Sequence, residues 1–136
     1  MVPKNILLVE DNPINQLVTS LLLTKWGHHV TIANDGKEAL EKIQNKNFSL
    51  ILMDINMPVM DGCEATLHIR ELKDPHFKTL PIIAFTTSPM ADTKEKARQM
   101  GMDDFLSKPL DPEEMHRKIN QYTSEIPTTQ PRREKT

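Results

Sequence analysis

The sequence carries a single cysteine, Cys63, in 136 residues. One thiol cannot close an intramolecular disulfide or build a cysteine metal cluster, and it suits a reducing, cytoplasmic setting. Charge of one sign is also lacking. The net charge is only −2, without the basic excess that a nucleic-acid module carries, so no nucleic-acid partner is expected. No apolar run approaches the roughly 18–20 residues that a membrane span needs. No signal peptide precedes the first apolar run, and no membrane contact is expected. There is no low-complexity tract. What remains is 38% hydrophobic and 26% charged, enough for one folded domain.

Short apolar runs punctuate the chain: Ile6-Leu7-Leu8-Val9, Val30-Thr31-Ile32-Ala33, Leu50-Ile51-Leu52-Met53, Ile82-Ile83-Ala84-Phe85, and the brief Phe105-Leu106. The first four are continuous rather than alternating. Continuous runs fit strands buried on both faces of a parallel sheet. Helical patterns lie between them. Ile14, Leu17, Val18, Leu21 and Leu22 share one helix face. Asn12-Pro13 supplies a cap and a first helical position. Asp35 with Glu38, Asp61 with Glu64, and Asp111 with Glu114 repeat a cap-x-x-Glu pattern. Ser88-Pro89 can open a helix that Gly101 closes. Met115, Ile119 and Tyr122 give the last helix a buried stripe. The β-α unit repeats five times, which predicts an α/β fold: a five-stranded, doubly wound parallel sheet with five helices. Residues 1–123 form the domain. Residues 124–136, SEIPTTQPRREKT, read as a tail or interdomain linker.

Polar residues follow the strands. The first ends in Glu10-Asp11, the third in Asp54, the fourth in Thr86-Thr87, and the fifth runs into Ser107-Lys108-Pro109. In an open parallel sheet all carboxyl ends lie on one edge, where ligands bind at the switch point. Clustered carboxylates repel unless a cation joins them, and hard oxygen ligands select Mg²⁺ or a similar ion such as Mn²⁺. A carboxylate can also act as a nucleophile toward phosphorus. Phosphoryl transfer then needs the equatorial oxygens neutralised, which the metal, Lys108 and Thr86 can do together.

This set resembles the receiver domain of two-component response regulators over roughly residues 4–123. The resemblance rests on Val9-Glu10-Asp11-Asn12, Met53-Asp54-Ile55-Asn56-Met57-Pro58, Asp61-Gly62, Thr86 and Lys108-Pro109, in family order and spacing. VEDNPINQ and GMDDFLSKPL are similar to receivers attached to hybrid histidine kinases. The resemblance implies a flavodoxin-like strand order 2-1-3-4-5. It implies Asp54 as phosphoacceptor, Asp11 and Asp54 as metal ligands, Glu10 acting through water, and the Asn56 carbonyl as a further ligand. Lys108 would pair with the carboxylate and then the phosphate, with Thr87 beside Thr86 at the phosphoryl site. Thr86 and Phe105 would be a switch pair, and the Lys108-Pro109 peptide would be cis. The implied partner is a histidine kinase or histidine phosphotransfer protein, and the domain is expected to belong to a larger chain.

Plainer readings stand beside these. Phe105 is equally a core aromatic, and it lacks the hydroxyl of the tyrosine often found there in the family. Thr87 is bulkier than the family's usual residue and would narrow access to the site. Asn56 and Ser88 fall where the family tunes phosphoryl lifetime. His28-His29 reads as a solvated turn, Cys63 as a small helix residue, Met53, Met57, Met60 and Met90 as filler, and Arg132-Arg133 as solvated charge. The expected function is a phosphorylation-dependent switch whose own catalysis is limited to self-phosphorylation from a phosphodonor and autodephosphorylation. The alternatives are a phosphate-independent interaction module of the same fold, or a small-molecule phosphohydrolase. The second would need a substrate cap, and no insertion is long enough to make one.

Overall fold

The computed structural model describes residues 4–55, 62–86, 91–108 and 111–123. The elements in chain order are β1 (Asn5–Val9), α1 (Pro13–Lys25), β2 (His29–Ala33), α2 (Gly36–Ile43), β3 (Leu50–Asp54), α3 (Gly62–Arg70), α4 (His76–Thr79), β4 (Ile82–Thr86), α5 (Ala91–Met100), β5 (Asp104–Ser107) and α6 (Pro112–Thr123). All strand pairs are parallel, and the order is β2-β1-β3-β4-β5. Fold class and strand order are as expected.

Side-chain parity explains why the apolar runs are continuous. Leu7, Val9, Ile51, Met53, Ile82 and Ala84 point to one face, where Ala39, Ile43, Ala65, Ile69 and Ala97 of α2, α3 and α5 cover them. Ile6, Leu8, Leu50, Leu52, Ile83 and Phe85 point to the other, against Leu23 of α1 and Met115 and Ile119 of α6. A strand covered on both sides has no polar face to alternate with.

The caps form where the sequence places them. The Asn12 side chain accepts from the Ile14 and Asn15 amides, at 2.9 and 3.0 Å. The Asp35 carboxylate accepts from the Glu38 amide at 2.8 Å. Asp111 accepts from the Glu113 amide at 3.1 Å. The Asp61 cap and the Ser88-Pro89 opening lie outside the described residues.

Two expectations need correction, and one expected feature faces outward. There is a sixth helix: α4 is a single turn between α3 and β4, begun where the Asp74 carboxylate accepts from the His76 amide at 2.9 Å. One turn is too short for an apolar period to reveal. The stripe Ile14, Leu17, Val18 and Leu21 does not join the core; these residues are 71, 60, 45 and 61% exposed. Helix α1 is seated instead through Thr19 and Leu23, with Leu22 partly packed. Finally, His28 is not a solvated turn residue but is buried, because it packs beneath the end of α1 as the chain turns into β2.

A buried clasp closes the side around β4. The Arg70 guanidinium donates to the carbonyls of Phe77, Leu80 and Gly101 and to the Asp103 carboxylate, at 2.7–3.1 Å. Asp103 also accepts from the Ile82 amide at 2.9 Å. One side chain thus fixes the start of β4 and the approach to β5.

Candidate functional site

The register assembles the site. Val9 pairs with Met53, so the residues one step further, Glu10 and Asp54, emerge side by side at the carboxyl edge. The chain leaves β1 toward β2 on one side, while β3 and β4 lie on the other, so this edge is the switch point. Thr86 pairs with Ser107, and the Lys108 amide donates to the Thr86 carbonyl at 2.9 Å. That bond brings Lys108 to the same edge.

Oxygens of Glu10, Asp11 and Asp54 lie within 4.8 Å of one another. Glu10 and Asp54 are buried and Asp11 is exposed. The Lys108 ammonium bridges the two buried carboxylates, 3.1 Å from Glu10 Oε1 and 3.3 Å from Asp54 Oδ2. Three carboxylates against one ammonium leave two negative charges in excess. Like charges this close cost free energy unless a cation joins them. The donor set is all oxygen and open toward Asp11, so the cluster could hold a metal ion with solvent or phosphate completing its shell.

Supports around the cluster were not evident from sequence. Glu10 Oε2 accepts from the Asn12 amide at 3.1 Å. Gln16 Nε2 donates to the Glu10 carbonyl and, at 2.7 Å, to Asn34 Oδ1. Asn34 in turn donates its amide to Glu38 at 2.9 Å. The start of α1 and the loop after β2 therefore orient Glu10 together. Gln16, one turn past the Asn12 cap, was the available signal. Gly62 is a second such feature: a Cβ there would collide with the Asp54 carbonyl oxygen and lie 2.9 Å from Ile55 Cα. The start of α3 thus lies directly against the end of β3, with the Gly62 amide donating to the Ile55 carbonyl at 3.0 Å.

Thr86 is buried at the end of β4, next to β3 and β5. Phe105 is half-buried on β5, with the Lys94 ammonium 5.8 Å and the Arg98 guanidinium 5.9 Å from its ring centroid. The structure therefore brings together Glu10, Asp11, Asp54, Thr86 and Lys108, and holds Phe105 two residues from Ser107 on the same strand. Asn56, Thr87 and Pro109 lie outside the described residues.

An open parallel sheet with an acidic cluster and a lysine at its switch point defines a class of phospho-accepting signalling domains. The chain belongs to the response regulator receiver domain family, whose profile matches residues 6–120. It is 43% identical over 125 residues, 88% of its length, to hybrid signal transduction histidine kinase I of Dictyostelium discoideum, of which it spans 7%. Among solved structures, it is similar to the receiver domain of sensor histidine kinase PA1611 from Pseudomonas aeruginosa PAO1, which holds a magnesium ion in its active-site cleft. The TM-score is 0.82 at 37% identity, over 90% of this chain and 98% of that one. It is also similar to a chain in the co-crystal of the Saccharomyces cerevisiae phosphotransfer protein Ypd1 with the Ssk1 receiver domain. There the TM-score is 0.80 at 32% identity, over 90% and 91% of the two chains. Among the described residues no helix is long and apolar enough to cross a membrane.

Proposed function

We propose that this domain accepts a phosphoryl group on Asp54 from a phosphohistidine and works as a phosphorelay switch. The observation that carries this reading is the Lys108 ammonium shared between buried Glu10 and Asp54, with Asp11 beside them. In the transfer an Asp54 carboxylate oxygen attacks phosphorus. The P–N bond of the donor breaks, and its electron pair stays on the imidazole, which takes up a proton. Hydrolysis later returns the carboxylate and inorganic phosphate. Asp11 and Asp54 would hold Mg²⁺ directly and Glu10 through water, supplying charge neutralisation to the phosphoryl oxygens. The Asn56 carbonyl would add a further ligand. Lys108 follows the charge from carboxylate to phosphate. The Thr86 hydroxyl approaches the new phosphoryl group, and Phe105 changes rotamer in response, biasing the β4–α5 surface between two states.

The partner is a histidine phosphotransfer protein or a histidine kinase, and the docking surface is the exposed face of α1. Ile14, Leu17, Val18 and Leu21 begin two residues after the Asn12 cap, beside Glu10 and Asp11. A contiguous apolar face next to the reacting carboxylate suits a partner that must bring its histidine there. The chain spans only about a tenth of its hybrid-kinase relatives, which supports a receiver module of a larger protein; we infer in addition a cytoplasmic setting and a boundary near residue 123.

The test is intact mass after incubation with acetyl phosphate and Mg²⁺. Wild type gains one phosphoryl group, and neither Asp54→Asn nor a chelated sample does. Equal labelling of Asp54→Asn overturns the assignment. Absence of any labelling, with a site that still binds Mg²⁺, favours the phosphate-independent module.

A further inference from the structure

We propose that the seam between α1 and α6 is an acid-sensitive latch, closed by a neutral His28 and opened by its protonation. The seam lies away from the acidic cluster: Lys4 and His28 sit at the amino edge of the sheet, where β1 and β2 begin, opposite the edge that carries Asp54. Trp26 ends α1, and its indole lies flat on the imidazole of His116 of α6, with ring centroids 4.1 Å apart and planes 4° apart. Gly27 follows with φ of 90°, a left-handed turn that brings His28 under the end of the helix. The His28 amide donates to the Leu23 carbonyl at 3.0 Å, closing this turn.

The His28 ring is only 4% exposed. Its Nδ1 accepts from the Lys4 amide at 3.3 Å, so in the neutral ring the proton resides on Nε2. That Nε2 is buried and has no hydrogen-bond partner among the described residues; the same is true of His116 Nε2. Protonating His28 must add hydrogen to the nitrogen that already accepts from Lys4, setting two donors against each other. It also places a charge where little solvent can reach it. The charged and titratable groups acting on it are His116 from α6, Lys4 from ahead of β1 and His29 from β2, and each is basic. Burial first, and then these neighbours, push the His28 pKa below its ordinary 6.5.

The sign follows. An opened seam lets His28 take a proton at its ordinary pKa, whereas the closed seam resists it. Closure is therefore complete above pH 6.5 and is lost as pH falls from there through the lowered value. Because α1 also bears the exposed apolar face, opening would alter that face as well.

Trp26 is the sole tryptophan in the chain, so its fluorescence reads the seam directly. The experiment follows Trp26 emission and amide exchange of residues 22–30 and 112–123 between pH 7.5 and 5.0, with exchange corrected for intrinsic rates. In wild type both should change together, with exchange at least tenfold faster in acid and a midpoint below 6.5. His28→Asn keeps an acceptor for the Lys4 amide but cannot titrate, and should lose most of the transition. His116→Phe keeps a flat ring against Trp26 without its charge, and should move the midpoint upward. The same transition in His28→Asn, or no transition in wild type, overturns the latch. Should His28→Asn fail to fold, the wild-type His28 ring resonances decide. An Nε2–H tautomer with a midpoint below 6.5 supports the proposal, and an Nδ1–H tautomer or a higher midpoint overturns it. None of these readouts depends on phosphorylation.

Discussion

Neutralising one acidic residue of the cluster should stabilise the metal-free protein, while removing its lysine should do the reverse. The oxygens of Glu10, Asp11 and Asp54 lie within 4.8 Å of one another. Two unit charges at that separation repel by about 0.9 kcal/mol in bulk water and about 3.5 kcal/mol at an effective dielectric of about 20. Asp11 is exposed, so the lower figure governs it. Facing two carboxylates, it contributes about 1–2 kcal/mol of repulsion that Asp11→Asn removes. Asp54 is different. Its repulsion with buried Glu10 is about 3.5 kcal/mol at a dielectric of about 20 and that with exposed Asp11 about 0.9 kcal/mol, while its contact with Lys108 at 3.3 Å returns about 5 kcal/mol at a dielectric of about 20. Asp54→Asn should therefore leave the metal-free stability nearly unchanged. Lys108→Met leaves two buried carboxylates, each 3% exposed, facing each other with that partner gone. Losing one member of a buried pair costs about 3–5 kcal/mol, and the opening at Asp11 places this case near the lower end.

Urea unfolding of each variant, with chelator and with Mg²⁺, measures these differences. At ten times its dissociation constant Mg²⁺ adds about 1.4 kcal/mol to the wild type. Asp11→Asn should start higher and gain little, so the two proteins converge when metal is added. Suppose instead that Asp11→Asn is less stable than wild type in chelator and gains as much from Mg²⁺. Then the carboxylates do not form a strained cation site, and the electrostatic reasoning fails. An unchanged stability for Lys108→Met would refute the bridging role just as directly.

Gly62→Ala forces a methyl group against the Asp54 carbonyl and should cost about 1–3 kcal/mol as overpacking, with slower acetyl phosphate labelling; denaturation and mass spectrometry check both. Arg70→Met removes the charge partner of buried Asp103 and the donor to three carbonyls and should lose about 3–5 kcal/mol, read by thermal unfolding. Leu17→Asp on the exposed face of α1 should change stability by no more than about 0.5 kcal/mol. It should leave acetyl phosphate labelling intact yet slow transfer from a phosphorylated histidine protein at least tenfold. Equal slowing with both donors would place the defect in the pocket rather than in docking.

The sheet was legible because its strands are covered on both sides. Continuous runs such as Ile82-Ile83-Ala84-Phe85 have few alternatives in a chain of this length. The acidic cluster was legible for a related reason: once the strands are parallel, Glu10, Asp54 and Lys108 must share an edge. The sharing of Lys108 between two carboxylates was not legible, because it depends on register and rotamer. Neither was the Arg70 clasp. A lone arginine at the end of a helix carries no sequence mark that it will bond three carbonyls.

The exposed stripe on α1 and the misreading at His28 have one physical origin. Periodicity reports that a helix has an apolar stripe; it does not report which way the stripe faces. Helix α1 lies against the sheet through Leu23 and Thr19, and the ring of Trp26 packs across to α6, so the seat is set mainly at the end of the helix. Ile14, Leu17, Val18 and Leu21 are then left for solvent. Isolated exposed apolar residues need no explanation, but four on one face of the helix that follows the acidic cluster do. Anchoring α1 through its carboxyl end also requires something beneath that end, and the chain places His28 there. A single packing decision therefore accounts for both features: it leaves one apolar face of α1 exposed and buries a titratable ring at the helix's foot.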